Sequence, residues 1–503
     1  MKTRLNILKM RFIDLRSTFR PLVLSLLIIS MIGFWSCDNG HDTPNPINTT
    51  DSTGTVGTDS STHLTIFYIN DQHGHIDNFA KIKHIVDGAK DSLNVLLVCA
   101  GDIFSGNPIV DQYSEKGYPM IDVMNQAGFD VSEIGNHEFD YGQETLAKRL
   151  DQAEFKWVCA NVNVEDSGLP QPPPYVTLQA GNLDVTFLGF VETNGKPNAV
   201  IPSTHPWRVL GLVFNWFSDV ITQYDNLKAE ESSDLLIALT HLGSASDKLI
   251  AEQYPYFDLI VGGHSHEVIN ESVNGIPIVQ AGSYGRFLGK IDLKILDKKI
   301  VGRTNTLINL DEYTDEDETL AKVIADYNNA PEFEEVVGNA TSFLSTTEIG
   351  CFYTTALKDY LGTDCSFQNG GGIRSTINQG DITTLEIYQV DPFNNGSVVY
   401  TMTVGEIKQF FQETGAGEHV SGISLVQEQN VLRVYDEAGN ELQDSKVLTI
   451  GINDYIPAVY DKYFPLEKAD RKDFTTAEAL IGYLKTINST VDDEGCNRYF
   501  RYQ

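Results

Sequence analysis

Basic residues, cysteines and long apolar runs are all scarce in this chain, and each shortage closes off a class of function. Across 503 residues there are 36 Lys and Arg against 69 Asp and Glu, a formal net charge of −33. Such a surface repels polyanions, so no nucleic acid polymer is expected as a partner, and a small phosphorylated ligand must be met by a few local cations. The six cysteines, Cys37, Cys99, Cys159, Cys351, Cys365 and Cys496, are too few and too scattered for a disulfide scaffold. Cys99 and Cys159 stand in apolar runs and read as small buried hydrophobes, while the spacing of Cys351 and Cys365 permits a bridge without establishing one. Beyond the first 36 residues no stretch reads as a membrane span.

The chain exceeds what one hydrophobic core usually organises, so two domains are expected. It begins with a basic leader (Lys2, Arg4, Lys9, Arg11, Arg16, Arg20), followed by the apolar run Leu22 to Trp35 and then Cys37 directly after Ser36. That run falls short of the ~20 residues a membrane helix needs, and its flanks are those of a secretory signal. The arrangement resembles a bacterial lipoprotein signal. The resemblance implies that residues 1–36 are a signal peptide, that Cys37 is lipidated, and that the protein is exported and anchored to a membrane of the cell envelope. An uncleaved membrane anchor is the alternative, because Phe34 and Trp35 are bulky for the approach to such a cysteine. Residues 37–62, rich in Asp, Asn, Ser, Thr, Gly and Pro, cannot bury a core and read as a flexible tether.

From residue 63 to about 310, apolar β-branched runs alternate with polar helical stretches, the pattern of a layered α/β sheet. What each run ends in is informative. "LTIFYIND" ends at Asp71, "VLLVCAGD" at Asp102, "LLIALTH" at His241 and "DLIVGGH" at His264, and the short "VSEIGN" adds Asn136. Ligands collect at the carboxyl ends of strands in open α/β sheets. Residues 311–335, with an acidic start and helical apolar spacing, read as a connecting helix. A second α/β region, 336–503, holds the glycine-rich "QNGGGIR" and runs such as "VLTIGIND".

Each motif has a bland reading. "DQHG" is a solvated turn, Asp102 in "GDIFSG" an Asx-turn, Asn136 in "GNHEFD" a helix cap with Glu138 as helix-end electrostatics, and a lone His241, His264 or His266 a satisfied histidine. The conjunction is what these readings fail to explain. Two Asp, one Asn and four His exceed the three or four protein ligands of one catalytic zinc but suit two metals sharing a carboxylate, at a spacing that clamps an in-line phosphoryl displacement. Mixed imidazole and carboxylate donors favour Mn²⁺, Zn²⁺ or Fe over Mg²⁺ or Ca²⁺.

The ordered set "DQHG", "GDIFSG", "GNHEFDYG", "THLG" and "GGHSH" resembles the calcineurin-type metallophosphoesterases; joined to "NGGGIR", "DPFNN" and "TAEALIGYLK" it resembles the exported 5′-nucleotidases. The resemblance implies a four-layer α/β/β/α metallophosphoesterase domain followed by an α+β substrate domain. It implies one divalent metal on Asp71, His73 and His266, a second on Asn136, His241 and His264, Asp102 bridging them, and a catalytic dyad of His137 and Asp140. Asn369, Gly372 and Arg374 become substrate contacts, with Phe393, Asn395 and Gly422 near a nucleotide base. The chain departs from the family twice. Ser345 stands where a further arginine is usual, and "AVYDKYF" replaces the segment that supplies a second stacking ring, leaving Tyr460, Tyr463 or Phe464 as candidates with none assigned. The departures bear on the nucleoside part and leave the chemistry in place, so the expected activity is phosphate release from phosphate monoesters, with 5′-nucleotides first among them. The alternatives are nucleotide sugars, 2′,3′-cyclic nucleotides or sugar phosphates as substrates, or a surface binding protein without catalysis.

Overall fold

Successive side chains of a strand point to opposite faces, and here the alternation sorts them into separate cores. The computed structural model describes residues 61–90, 94–165, 167–415, 417–428, 431–487, 490–491 and 501–502. In strand Thr62–Ile69, Leu64, Ile66 and Tyr68 enter one core while Phe67 and Ile69 enter another. Strand Val95–Cys99 divides the same way, Leu96 and Val98 from Leu97 and Cys99. In strand Leu235–His241, Leu235, Ile237 and Leu239 join the core of Leu64, whereas Leu236 and Ala238 face a third. Strands apolar on both faces need cover on both, and the result is two sheets back to back with helices outside each. The four-layer α/β/β/α arrangement is present.

The first sheet runs Lys299–Asn309, Phe287–Leu296, Thr62–Ile69, Val95–Cys99, Val131–Glu133, Lys156–Val158, the last four parallel. The second runs Val268–Val273, Ile276–Ala281, Leu259–Val261, Leu235–His241, Leu183–Val191, Tyr175–Ala180, with a parallel centre. Register pairs Ile69 with Cys99, Cys99 with Ser132, and Leu239 with Val261. The parallel strands thus finish level, and the residues that follow them share one edge. Helices Phe79–Lys90 and Tyr118–Ala127 cover the first sheet with Ile82, Val86, Met120 and Met124, and helix Ser244–Gln253 covers the second with Ile250 and Ala251.

Within the expected connecting stretch lies helix Glu318–Asn328, whose first turn is capped by the Asp317 side chain accepting from the Leu320 N–H at 2.8 Å. Its Leu320 and Ile324 pack into the core outside the first sheet. The C-terminal region is α+β. Its five-stranded sheet runs His419–Ser421, Cys365–Gln368, Val447–Asn453, Gly396–Thr403, Asp470–Thr475. One core gathers around Phe367, Phe410 and Ile450, and a second lies between helices Thr346–Leu361 and Thr476–Ile487.

The Cys351–Cys365 bridge does not form. Cys351 sits on helix Thr346–Leu361 and is disulfide-bonded, but Cys365 opens a strand with its thiol turned into the Phe367 core, free and buried. The leader, Cys37 and the tether through residue 60 lie outside the described residues. Among the described residues no helix is long and apolar enough to cross a membrane.

Candidate metal centre and active site

The strand ends present their donors through unusual backbone. Asp71, His73, Asp102, His264 and His266 all lie in the left-handed region, with φ between 48° and 77°. Such residues cost about 1–3 kcal/mol each unless their surroundings hold them. The Asp102 turn shows how they are held. Glu138 is fully buried, and its Oε1 accepts from the Ile103 N–H at 2.8 Å and its Oε2 from the Asp102 N–H at 3.2 Å. A Cβ on Gly135 would lie 2.3 Å from Asp102 Oδ1, so only glycine lets the two turns touch. Glu138 is therefore a strut for the neighbouring turn, which corrects its reading as helix-end electrostatics; that reading treats a carboxylate after a cap as solvated. Glu138→Ala leaves two buried N–H groups without acceptors, at ~1–3 kcal/mol each. A clear drop in the thermal unfolding midpoint is expected, and an unchanged midpoint would remove the strut.

The donor atoms are aimed by backbone carbonyls. His241 Nδ1 lies 2.7 Å from the Ala100 carbonyl oxygen and His73 Nδ1 3.0 Å from that of Ser105. Each Nδ1–H can donate there, which leaves each Nε2 lone pair turned toward the site. His241 Nε2 is fully buried and faces Asp102 Oδ2 at 2.9 Å. Burial disfavours a charged His241, yet Asp102 pulls its pKa well above the ordinary value; the same pull favours a metal cation at that point. His73 Nε2 likewise faces His266 Nε2 at 2.9 Å, and His264 Nδ1 lies 3.0 Å from Asn136 Oδ1. Burial pushes His264 and His266 down to about 4, so both are neutral imidazoles able to ligate.

Donor atoms of Asp71, His73 and His266 lie within 4.8 Å of one another, as do those of Asp102, His241 and His264, and those of His73, Asp102 and His137. All seven expected donors thus converge, and the set fits divalent cations of the Mn, Zn or Fe type. Beside them His137 Nδ1 donates to Asp140 Oδ2 at 2.6 Å, which turns its Nε2 toward Asp102, 3.9 Å away. Burial works against a charged His137, but Asp140 and Asp102 raise its pKa above the usual imidazole value.

These groups open on a cavity of ≈ 240 Å³ whose opposite wall comes from the C-terminal region: Asn369, Gly372, Arg374, Phe393 and Asn395. The Arg374 guanidinium stands 5.7 Å from the Phe393 ring centre. The Phe393 ring lies 5.7 Å from that of His137 and 19° from parallel to it. Gly422 is off this lining; a Cβ there would meet the Asp364 carbonyl oxygen at 2.1 Å, so its glycine serves strand packing. Tyr460, Tyr463 and Phe464 pack on Phe410 at 5.3, 5.6 and 5.0 Å within the C-terminal core, and the second aromatic on the cavity is Tyr455. Ser345 caps helix Thr346–Leu361 through Glu348. Thr204, His205 and Arg208 also reach the cavity. They come from an irregular connection after strand Leu183–Val191, where no periodicity marks a residue as pointing inward.

The same two-part organisation is found in known proteins. Residues 64–268 match the calcineurin-like phosphoesterase family and residues 323–466 the 5′-nucleotidase C-terminal domain. The trifunctional nucleotide phosphoesterase protein YfkN of Bacillus subtilis is 27% identical over 85% of this chain, which spans 34% of YfkN's length. Protein UshA of Escherichia coli is 24% identical over 85% of this chain and 92% of its own. In fold, a 5′-nucleotidase precursor from Thermus thermophilus superposes with a TM-score of 0.73 at 23% identity, covering 85% of this chain and 97% of that one. The chain belongs to the calcineurin-like phosphoesterases that carry a 5′-nucleotidase C-terminal domain.

Proposed function

We propose that this protein is an exported, metal-dependent hydrolase that releases phosphate from phosphate monoesters, with 5′-nucleotides as its substrate class. One observation carries the reading: the clustered metal-type donors reach one cavity through Asp102, Asn136, His264 and His266, and the His137–Asp140 pair and Arg374 line the same cavity. Residues 63–310 would supply the chemistry and residues 336–503 the grip on the rest of the substrate, joined by residues 311–335. Asp71, His73 and His266 would hold one divalent ion and Asn136, His241 and His264 a second, with Asp102 shared. Such ions neutralise phosphoryl charge and acidify water near neutral pH. His137, its Nδ1 fixed by Asp140, offers Nε2 to the phosphoryl oxygens or to the leaving oxygen. Arg374 contributes a planar fork matched to an anionic group, and Phe393 a face on which a base can stack.

A panel of phosphoesters assayed for phosphate release, with and without added metal, tests the activity, and no release from any ester would sink it. The base reading has its own test. Phe393→Ala is expected to raise KM for nucleoside monophosphates more than for a small non-aromatic ester, because only the former lose a stacking surface of ~1–3 kcal/mol. Equal losses would favour sugar phosphates or related esters, a second reading that rests on Ser345 capping a helix where relatives are expected to carry an arginine.

A further inference from the structure

We propose that Arg208 is a positioning residue that ties the His137–Asp140 dyad to the seating of the Phe393 loop, so that the C-terminal region acts on turnover as well as on substrate capture. The inference rests on the dyad reading above. Arg208 belongs to a short turn, Pro206–Val209, in the connection that follows strand Leu183–Val191. Its Nη2 donates to the Phe393 carbonyl oxygen at 2.7 Å, and its Nη1 lies 3.9 Å from Asp140 Oδ1. One guanidinium thus spans the backbone of the residue stacked on His137 and the carboxylate that orients His137.

The connection that carries the turn is fastened on both sides. On the N-terminal side, Gln143 Nε2 donates to the Arg208 and Leu210 carbonyl oxygens at 3.1 and 2.9 Å, from a helix that begins just past Asp140. On the C-terminal side, His205 Nε2 lies 3.2 Å from Asp454 Oδ1, Arg471 sits 4.3 Å over the Trp207 ring, and Lys196 pairs with Asp461 at 2.8 Å. The backbone of Arg208 is therefore fixed, and its fork is aimed rather than free.

Asp140 is nearly buried, and its oxygens already accept from Thr204 Oγ1 and His137 Nδ1, both at 2.6 Å. A third, cationic neighbour adds charge stabilisation where screening is weak. Loss of the Phe393 carbonyl contact would free the fork to swing, and Asp140 would lose that cation. The planar fork matters because a lysine ammonium, a point charge on a flexible stem, cannot hold both partners in fixed geometry.

The test is kinetic, on the full metal-loaded chain. Arg208→Gln should lower kcat by roughly 10–100-fold, the range for partners one step behind a working group, with KM changed far less. Arg208→Lys should recover part of kcat, because it restores charge near Asp140 without the fork. The deciding measurement is Arg208→Gln placed in an Asp140→Asn background. If Arg208 works through Asp140, the second change costs little further; the same fold-loss in both backgrounds would overturn the proposal, as would a rise in KM with kcat intact. Unfolding midpoints of all variants separate a positioning loss from a collapsed fold, and a kcat loss fully matched by lost folded protein also counts against it. His137→Ala on the same substrate keeps the two readings apart: if it leaves turnover intact the dyad reading fails, whereas if it abolishes turnover an additive Arg208 result overturns only the coupling.

Discussion

Stripping metal from the protein should abolish phosphate release, and Asp102→Ala should reproduce much of that loss through one side chain. Asp102 Oδ2 is 2.9 Å from His241 Nε2, 3.9 Å from His137 Nε2 and 4.0 Å from His73 Nε2. One carboxylate oxygen therefore stands among imidazoles that otherwise belong to separate donor groups. Its other oxygen accepts from the His137 N–H at 2.8 Å, so the same residue fixes where the dyad begins. Alanine removes the charge that both ions would share and the acceptor for that N–H. Lewis-acid stabilisation of several kcal/mol is then at stake, and about 4 kcal/mol corresponds to a loss of roughly 10³-fold. Elemental analysis should find less bound metal in Asp102→Ala, and Mn²⁺ or Zn²⁺ should restore chelated wild type but not the variant. Full turnover after exhaustive chelation, with no detectable metal, would defeat the dinuclear reading.

The metal-type donors were legible in the sequence for a physical reason. A strand buried on both faces must be apolar throughout, so the first Asp, Asn or His after such a run marks the sheet edge, and level strand ends bring those residues together. Asp102, His241 and His264 follow that rule, Asp71 comes one residue after Asn70, and Asn136 follows a short strand that holds the buried Ser132 and Glu133; the resemblance to metallophosphoesterases supplied the expected pairing. What could not be read was whatever depends on irregular backbone. Thr204, His205 and Arg208 lie in a connection with neither a period of two nor of 3.6, so nothing in "THPWR" says which side chain faces inward. The same limit hid Tyr455. In "NDYIPAVYDKYF" four aromatics are candidates by composition, and only the packing of Tyr460, Tyr463 and Phe464 around Phe410 leaves Tyr455 to the cavity. Glu138 was misread because a carboxylate after a cap usually meets solvent, whereas here the close approach at Gly135 turns it toward the Asp102 turn. Cysteine spacing left the pairing open for a related reason: the interval from Cys351 to Cys365 says nothing about a thiol committed to a strand face inside a core.

His137→Ala should cut turnover by ~10²–10⁴, the usual range for a positioned acid or base, while leaving metal content near that of wild type. The loss of turnover follows from geometry. Nδ1 is held by Asp140 at 2.6 Å, which fixes the ring and leaves Nε2 as the nitrogen free to meet a substrate oxygen. Asp140 and Asp102 raise the pKa of His137 against the opposing effect of burial, and a ring so held can stabilise charge or exchange a proton with a substrate oxygen. Retention of metal is the sharper expectation, because His137 also falls within reach of a metal: with His73 and Asp102 it forms one of the three donor clusters. If Asn136 is the ligand, its Oδ1 beside His264 keeps the second ion in place when His137 is gone. Loss of about one equivalent of metal would instead make His137 a ligand and move Asn136 out of the coordination shell. KM for a small ester should shift less than turnover, since Arg374 and the metal-type donors stay in place. Asp140→Asn complements this, because it keeps the shape of the pair and removes only the charge. A smaller loss than His137→Ala is expected, and an equal or greater one would mean that Asp140 does more than orient its histidine.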